Sequence, residues 1–503
     1  MRKIISFLFA VLLTVPLFSS CSSNEGGNES RETERVTVPA DTASAAETEG
    51  FDEIRDYVRD LASSVDYNGW TFTFIAKQDS GNKPVKEEET GITESDAVYF
   101  RQRDIEEYFG IDIEYVVTEN GDVTAEQVVN EVTAGGSSYD LAEGSTGTTG
   151  QGLINASVIR QVDDLKYVDL DRPWWLASLR DDYSIGHRLF LLTGSLVRNN
   201  YCDASCILFN KKVTSMYGID DAELYQCVRD GKWTLDKMIE VASVVPENVS
   251  GAGVWRYSEP LGHAYIMTSG MHITQFDEDG NPFIADALPL EVSNLADKLS
   301  PIFGDDTQTA SFKHDIDSSV EDKYGVESIT DLFVDNRVLF KFGYTEHAIN
   351  LRKFDVQFGI LPVPKKDDSQ TEYCTCVCNG WEAAVYIPRS VKSVEFTDVI
   401  TEAMAALSDV YLKTAYYDKI LKGQSVFDLE SRDMIDILFT TKVFDLFPLY
   451  SGGNYDYMGD FSQALEDGFN IDSSQFVSEY KSNAKVVNFH AKQLVKAVDK
   501  IED

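Results

Sequence analysis

Basic residues are scarce in this sequence. Lys and Arg together number 44 against 84 Asp and Glu, so the 503-residue chain has a formal net charge of -40 at pH 7. A surface that binds nucleic acid needs clustered Lys and Arg, and the sequence shows no such cluster. The charge therefore argues against nucleic acid as a partner and disfavours an anionic ligand. Acidity itself also suits any protein that must stay soluble outside the cell.

Histidines and enzyme motifs are also sparse. The six histidines include no pair at metal-ligand spacing, and neither Gly-x-Ser-x-Gly nor a phosphate-binding loop with its Lys occurs. Structural zinc sites usually add a second cysteine pair or a histidine to a pattern such as Cys374-x-Cys-x-Cys. We therefore expect no metal, no cofactor and no enzymatic activity. A secreted glycoside hydrolase stays open as an alternative, because it needs only two carboxylates.

Long apolar runs are missing except at the N-terminus. Ile4–Phe18 is too short to span a bilayer and, with two basic residues before it, is typical of a signal-peptide core. The following Phe18-Ser19-Ser20-Cys21 resembles a bacterial lipobox, which implies removal of residues 1–20 and lipidation of Cys21. We expect a lipoprotein held by several acyl chains on the outer face of the cell membrane.

The rest of the chain divides into a tether and a large folded part. Residues 21–50 are rich in Ser, Glu, Thr, Asn and Gly and have little to bury, so we expect them to be disordered. The remaining length of about 450 residues exceeds one core and fits two lobes. Six further cysteines allow 15 pairings and are expected to be free thiols or disulfides. They are Cys202, Cys206, Cys227, Cys374, Cys376 and Cys378.

The first part of this folded region alternates strands and helices. Alternation predicts strands at 70–75 and 111–117, and a capping box of Thr124 and Gln127 predicts a helix over 124–134. Strand, helix and strand in this order imply parallel pairing. Ligands of open α/β sheets bind outside the carboxyl ends of the strands, which is where the loop 143–150 falls. Its Ser, Thr and Gly residues suit an uncharged polyol.

A second group of signals begins near residue 206. Cys206–Phe209 predicts a strand, and Thr234 is placed as the N-cap of a helix that ends before Pro246. Leu208-Phe209-Asn210-Lys211 followed by Gly231-Lys232-Trp233-Thr234 resembles the signatures of extracellular solute-binding proteins of ABC importers (family 1, carbohydrate type). Phe358–Pro364 resembles the Pro-x-Pro exit of the same family.

This resemblance implies an α/β, two-lobe periplasmic-binding-protein-like fold with hinge crossings and a ligand cleft between the lobes. We assign residues 51–208 and 337–372 to lobe 1, and residues 209–336 and 373–503 to lobe 2. The return crossing to lobe 1 is predicted where a helix passes into a strand at Phe333–Phe340.

The same resemblance suggests ligand contacts, while adjacent Trp174 and Trp175 are expected in the core. The loop after the Asp-Leu strand commonly contacts sugar in this family, and the other candidates lie at or near the predicted crossings. Trp255 has core packing as an open alternative. The ligand-binding candidates are Glu143, Ser145, Thr146, Trp255, Tyr344, Glu346 and Trp381.

These observations predict a monomeric, lipid-anchored binding protein. It captures a carbohydrate, an oligosaccharide by preference, through hinge closure and delivers it to the permease subunits of an ABC importer. Closure follows from a population shift, because a ligand that touches both lobes gains contacts only in the closed form. A surface carbohydrate adhesin or sensor without transport is a further alternative.

Overall fold

The computed structural model describes residues 45–78, 93–246, 253–258, 262–303, 308–310, 325–377, 383–421, 429–450 and 473–501. Residues from Gly50 onward form one compact unit. The strands are β1 (Thr71–Lys77), β2 (Asp112–Thr118), β3 (Leu141–Ser145), β4 (Ser205–Asn210), β5 (Trp255–Ser258), β6 (Gln275–Phe276), β7 (Pro282–Phe283), β8 (Thr309–Ala310), β9 (Val338–Tyr344), β10 (Phe358–Leu361), β11 (Thr375–Cys376), β12 (Ala383–Tyr386) and β13 (Lys442–Val443).

Helices cover and connect these strands. In chain order they are α1 (Ala45–Ser63), α2 (Thr93–Phe109), α3 (Gly121–Thr133), α4 (Gln151–Asn155), α5 (Leu179–Tyr183), α6 (Asn199–Cys202), α7 (Lys211–Tyr217), α8 (Asp221–Arg229), α9 (Leu235–Ala242), α10 (Gly262–Thr268), α11 (Leu290–Phe303), α12 (Ile329–Val334), α13 (Thr345–Leu351), α14 (Val394–Leu421), α15 (Leu429–Thr440) and α16 (Ser473–Val498). A π-helical turn covers Thr146–Gly150, and a 3₁₀ turn covers Phe447–Leu449. No helix in the described ranges is both long and apolar enough to cross a membrane.

Sheet 1 has the strand order β12-β3-β1-β2. Its strand β1 pairs in parallel with both β2 and β3, whereas β12 runs antiparallel to β3. The alternation in β1 buries Phe72 and Phe74 completely. Helices α2 and α14 pack together on this sheet, where the buried Arg101 donates to the Ser408 hydroxyl at 3.0 Å. We call sheet 1 and these helices lobe 1.

Sheet 2 has the order β10-β4-β9-β5-β8. Strand β4 is antiparallel to its neighbours β10 and β9, while β5 pairs in parallel with β9 and β8. Every residue of β4 is buried, which explains the continuous apolar run in its sequence. We call sheet 2 and the helices packed on it lobe 2.

The strand pairing differs from the predicted division of the chain. Strands β9 and β10 fall in the range 337–372 that was assigned to lobe 1, yet both pair with β4 of sheet 2. The passage from α12 into β9 therefore stays within lobe 2 instead of crossing. Conversely, β12 was assigned to lobe 2 and pairs with β3 of sheet 1. A periodic pattern identifies a strand but carries no information about which sheet receives it.

The described residues show the chain passing between the two sheets at more than one place. Residues 193–204 leave sheet 1 at Leu192, which bridges to Val385, and lead directly into β4. The second crossing runs from Val377, which bridges to Ala204 beside the first, to the start of β12. The third lies between α14, which packs on α2, and α15, which packs on β10. Residues 193–204 and 377 thus form the described part of a hinge.

Capping residues in the sequence predicted the start of two helices, and the structure confirms one of them. Thr234 caps α9 and accepts a hydrogen bond from the Lys237 amide, as predicted. Helix α3 begins earlier than predicted, because Asn120 and not Thr124 accepts from the Val123 amide. Thr124 is buried, and its hydroxyl lies 2.5 Å from that of Thr118.

Candidate functional site

The carboxyl end of β3 presents a cluster of hydroxyl groups. Ser145 ends this strand, and its Oγ lies 2.7 Å from Thr148 Oγ1 in the π-helical turn. Thr149 donates to the Gly121 carbonyl at 3.0 Å, which ties the turn to the start of α3. Ser145 is half-buried, whereas Thr146 is almost fully buried. Residues 146–150 of the predicted ligand-binding loop therefore form a π-helical turn at the edge of sheet 1.

Glu143 is inside lobe 1 and not on an open loop. It lies within β3 opposite Val385, and only 1% of its surface is exposed. Burial raises the pKa of Tyr115 most, Arg101 opposes this rise, and the Glu143 carboxylate adds to it. These effects place Glu143 near the Tyr115 and Arg101 side chains. Its burial argues against direct contact with a ligand in this conformation.

The carboxyl end of β9 brings Tyr344 and Glu346 to the edge of lobe 2. Tyr344 ends this strand, and its ring centroid lies 5.9 Å from that of His347 in the first turn of α13. Glu346 Oε1 lies 3.7 Å from Arg198 Nη2, which belongs to the first crossing. Both predicted residues are half-buried. The structure therefore places them beside the hinge.

Asp203 is the central group of this edge. The Asn199 side-chain amide donates to Asp203 Oδ2 at 2.5 Å. Burial raises the pKa of Asp203 to about 6, and the nearby Glu346 carboxylate adds to the rise. Arg198 and Lys77 both lower it. Since Lys77 ends β1 and Glu346 follows β9, this carboxylate of the crossing interacts with charged groups from both lobes.

Backbone contacts fix the position of this charged group. The Thr345 hydroxyl donates to the carbonyls of Tyr201 and Cys202 at 2.6 and 2.7 Å, and its amide donates to the Ala204 carbonyl. The second crossing is attached as well, because the Cys376 amide donates to Ser205 Oγ at 3.0 Å. The start of α13 and both described crossings therefore form one hydrogen-bonded junction.

The sequence did not identify Lys77, Arg198 or Asp203 as site residues. None belongs to a recognisable motif, and they are brought together only by the crossing of the chain between sheets. The available signal was positional. Lys77 ends a predicted parallel strand, and ligands of such sheets bind at that edge.

Trp255 occupies the core of lobe 2. Only 1% of its surface is exposed, and it packs with Phe333 and Leu332 among other apolar side chains. The Arg337 guanidinium lies over its ring at 5.1 Å from the centroid. The ring therefore offers no face for stacking on a sugar in this conformation, in agreement with the alternative of core packing.

Several other predicted positions have clear outcomes. Trp174 and Trp175 are buried, as expected, and both indoles donate to the Glu402 carboxylate. Trp381, Cys378 and Cys21 lie outside the described residues.

Free thiols are found at Cys206, Cys227 and Cys374. Burial raises the pKa of the Cys206 thiol to about 12, which makes it unreactive at neutral pH.

The motifs that carry the family resemblance have structural roles. Asn210 caps α7 by accepting from the Lys212 and Val213 amides, and its own amide donates to the Phe333 carbonyl at 2.8 Å. The Trp233 indole donates to the Pro362 carbonyl at 2.9 Å. These contacts attach α7, α9 and α12 to sheet 2. The motifs therefore stabilise lobe 2.

The chemistry available at the junction is hydrogen bonding. It combines hydroxyls, an amine, a guanidinium and carboxylates, which together donate to and accept from hydroxyl groups. Within the described ranges, no group of three or more metal-ligating side chains is assembled. The arrangement suits recognition of a polar, uncharged ligand.

Comparison with known proteins identifies the fold. No protein-family model and no curated protein matches the sequence. Among solved structures, RafE from Streptococcus pneumoniae is similar at 15% identity and a TM-score of 0.54, over 84% of this chain and 99% of that chain. A second neighbour is the galacto-N-biose/lacto-N-biose I-binding protein of an ABC transporter from Bifidobacterium longum, in complex with lacto-N-biose. It is 9% identical, covers 86% of this chain and 99% of that chain, and has a TM-score of 0.52.

A third neighbour is UgpB from Mycobacterium tuberculosis in complex with glycerophosphocholine. It is 12% identical, covers 84% of this chain and 98% of that chain, and has a TM-score of 0.51. At these identities the similarity concerns architecture. The chain therefore has the α/β, two-lobe periplasmic-binding-protein-like fold of the solute-binding proteins of ABC transporters, as the sequence predicted.

Proposed function

We propose that this chain is an extracellular solute-binding protein that captures a carbohydrate, preferably an oligosaccharide, between its two lobes. The observation that carries the proposal is the junction around Asp203. Lys77 comes from lobe 1, Glu346 comes from lobe 2, and Arg198 and Asp203 come from the crossing that joins them. A ligand bound there contacts both lobes, and such contacts are gained only in the closed form.

An uncharged polyol suits this junction better than an anion. Sugar hydroxyls both donate and accept, so they pair with carboxylates as well as with the amine and the guanidinium. Asp203 and Glu346 would repel a phosphate group at short range. Ser145 and Thr148 extend the same edge of sheet 1 with further hydroxyls. We propose Ser145, Tyr344 and Glu346 as contact residues, together with Lys77, Arg198 and Asp203.

Calorimetric titration with a panel of mono- and oligosaccharides tests this proposal. Glycerophosphocholine serves as the comparison ligand. We expect micromolar or tighter binding of at least one sugar, and at least about a tenfold loss of affinity in Asp203→Ala. The matched control is Asp181→Ala, which removes an exposed carboxylate on α5. Binding of glycerophosphocholine alone would contradict the carbohydrate assignment, and release of reducing sugar would favour the hydrolase alternative.

We further propose a place and a partner for this protein. Acyl chains on Cys21 would anchor it to the outer face of the membrane, and residues 21–50 would serve as the tether. The closed protein would then deliver its ligand, as a monomer, to the permease subunits of an ABC importer. The arrangement of a signal-peptide core before a lipobox-like sequence supports this proposal. Loss of ligand uptake on deletion of the gene would test the transport step, because an adhesin or a sensor is not required for uptake.

A further inference from the structure

The C-terminal helix α16 has a composition unlike the rest of the chain. Over its 26 residues it contains four lysines, at 481, 485, 492 and 496, and a single Glu. The whole chain has 84 acidic residues against 44 basic ones. The helix is thus a local basic segment in a strongly acidic protein.

The helical geometry gathers these lysines on one face. Their spacings are four, seven and four residues, so at about 3.6 residues per turn all four lie within roughly a sixth of the helix circumference. All four are exposed, whereas Val487, Ala491, Leu494 and Val498 bury the opposite face against the protein. The spacing hides this cluster in the sequence, where no two of these lysines are adjacent.

The lysine face makes no ion pair with the described part of the chain. None of the four lysines forms an ion pair with a described residue. Two exposed carboxylates lie close to it, and both have other partners: Asp499 Oδ1 lies 3.6 Å from Arg188 Nη2, and Asp286 Oδ1 accepts from the Asn488 side-chain amide at 3.5 Å. The positive charge is therefore available to an external anionic surface.

Two apolar side chains project from the same side of α16. Phe489 is 58% exposed and lies between Lys485 and Lys492, and Val486 is 39% exposed beside it. A groove of about 470 Å³ at the C-terminal end of the helix is lined by Gln493, Lys496, Asp499 and Lys500 among others. Basic residues interspersed with exposed Phe and Val are typical of segments that bind at a membrane interface.

We propose that the lysine face of α16 (Lys481, Lys485, Lys492 and Lys496 with Phe489) docks on an anionic phospholipid bilayer. The lysines attract the lipid phosphates, and Phe489 enters the headgroup region. Because salt screens charge beyond about 8 Å, the acidic remainder of the molecule does not cancel this local attraction. The anionic bilayer repels the acidic faces of the protein, so α16 sets the orientation of the protein on the membrane.

Co-sedimentation with vesicles tests the proposal. The protein begins at Ser22, which retains the compact unit from Gly50 onward and lacks the cysteine that would be acylated. We expect binding to vesicles that contain phosphatidylglycerol, little binding to pure phosphatidylcholine, and loss of binding in high salt. Replacement of the four lysines by Gln should lower the partition coefficient by at least about tenfold. Phe489→Ser should lower it as well, by about threefold or more.

The matched control replaces Lys212, Lys232, Lys353 and Lys392 by Gln. All four are exposed and lie outside α16, so the change in net charge is identical. The partition coefficient of this variant should lie within about twofold of that of the wild type. Equal losses in both quadruple variants would overturn the proposal, as would equal binding to neutral vesicles. Binding of soluble polyglutamate to the protein, without any binding to vesicles, would overturn the proposal in favour of an acidic protein partner.

Discussion

Tyr344 and Trp255 are both aromatic residues of sheet 2, but their surroundings differ. Tyr344 is half-buried at the hinge edge, while Trp255 is enclosed in the core. We expect Tyr344→Ala to weaken binding of the identified sugar by roughly tenfold to a hundredfold, because it removes a ring that can cover an apolar sugar face. Titration calorimetry measures this loss.

Trp255→Ala is the contrasting variant. Removal of a fully enclosed Trp should lower the free energy of unfolding by about 3 to 5 kcal/mol through lost burial and a residual cavity. Thermal denaturation of the ligand-free proteins separates the two cases, since Tyr344→Ala should melt close to the wild type. A Tyr344→Ala protein that melts early yet binds sugar with unchanged affinity would remove Tyr344 from the site.

Asp203 predicts a specific dependence of stability on pH. Burial raises its pKa from an ordinary 3.8 to about 6, so the native state binds this proton more tightly than the unfolded state. The resulting stabilisation is fully present below about pH 4 and is lost as the pH rises through about 6. We expect Asp203→Asn to be more stable than the wild type by about 1 to 2 kcal/mol at about pH 8, with little difference at about pH 4.

Urea denaturation at the two pH values measures this difference. Asp181→Asn is the control, because Asp181 is exposed. A constant difference between Asp203→Asn and the wild type across the range would show that the carboxyl does not titrate there. Partial exposure of Asp203 keeps the expected effect below the roughly 3 kcal/mol that the full pKa shift represents.

Residues with strong local signals were predictable, and residues defined by long-range contacts were not. Thr234 was identified as a helix cap because capping depends on the amides of the next few residues. Thr124 was misassigned because Asn120, four residues earlier, competes for the same role. Asp203 acquires its meaning only from Lys77 and Glu346, which lie more than a hundred residues away on either side.

At the scale of elements, α14 joins α1 to the loop that contains Trp174 and Trp175. Glu402 on α14 accepts hydrogen bonds from both indoles, at 3.1 and 2.8 Å, and from the Tyr57 hydroxyl at 3.0 Å. Burial raises the pKa of Glu402 to about 7, although these donors oppose the rise. One buried carboxyl therefore holds three segments together.

Glu402→Ala should lower the free energy of unfolding by about 2 to 5 kcal/mol. The reason is that buried indole N–H groups lose their acceptor and a cavity opens beside them. Glu395→Ala, seven residues earlier on the same helix, removes an exposed partner of Lys166 and should cost less than about 1 kcal/mol. Chemical denaturation of both variants provides the comparison. Equal losses would mean that the contacts of Glu402 add nothing to those of an exposed carboxylate.

Element types were easier to predict than element partners. The strands at β1, β2, β4 and β10 follow from apolar alternation or short apolar runs, and these patterns depend on neighbouring residues. Membership in a sheet depends on pairing across long distances. Strand β12 joins β3 from about 240 residues further along the chain, and nothing in its four buried residues encodes that choice.

For the whole molecule, we expect ligand to reduce the radius of gyration. The described crossings between the two sheets lie side by side at Ala204 and Val377, and hinge closure is the motion that such a connection permits. Small-angle scattering with and without saturating sugar measures the change. Asp203→Ala, at the same sugar concentration, provides a control with weakened binding. An unchanged profile for the saturated wild type would argue against a closing cleft.

Membrane attachment gives a prediction for the intact cell. Cys21→Ser should release the protein into the medium or the soluble fraction, because the Ser hydroxyl cannot replace the thiol to which the lipid is attached. Fractionation and immunoblotting detect the change, and Cys227→Ser serves as a matched cysteine control. Retention of Cys21→Ser in the membrane at high salt would mean that some other anchor holds the protein.

The interleaving of the sheets also affects the order in which they can be completed as the chain emerges during synthesis. All five strands of sheet 2 lie between residues 205 and 361, whereas sheet 1 needs β12, which ends at residue 386. A chain that emerges N-terminus first therefore delivers β1, β2 and β3 early but leaves the edge of β3 unpaired until the other sheet has been delivered in full. That exposed edge is the part of the emerging chain that most needs protection from pairing with other chains.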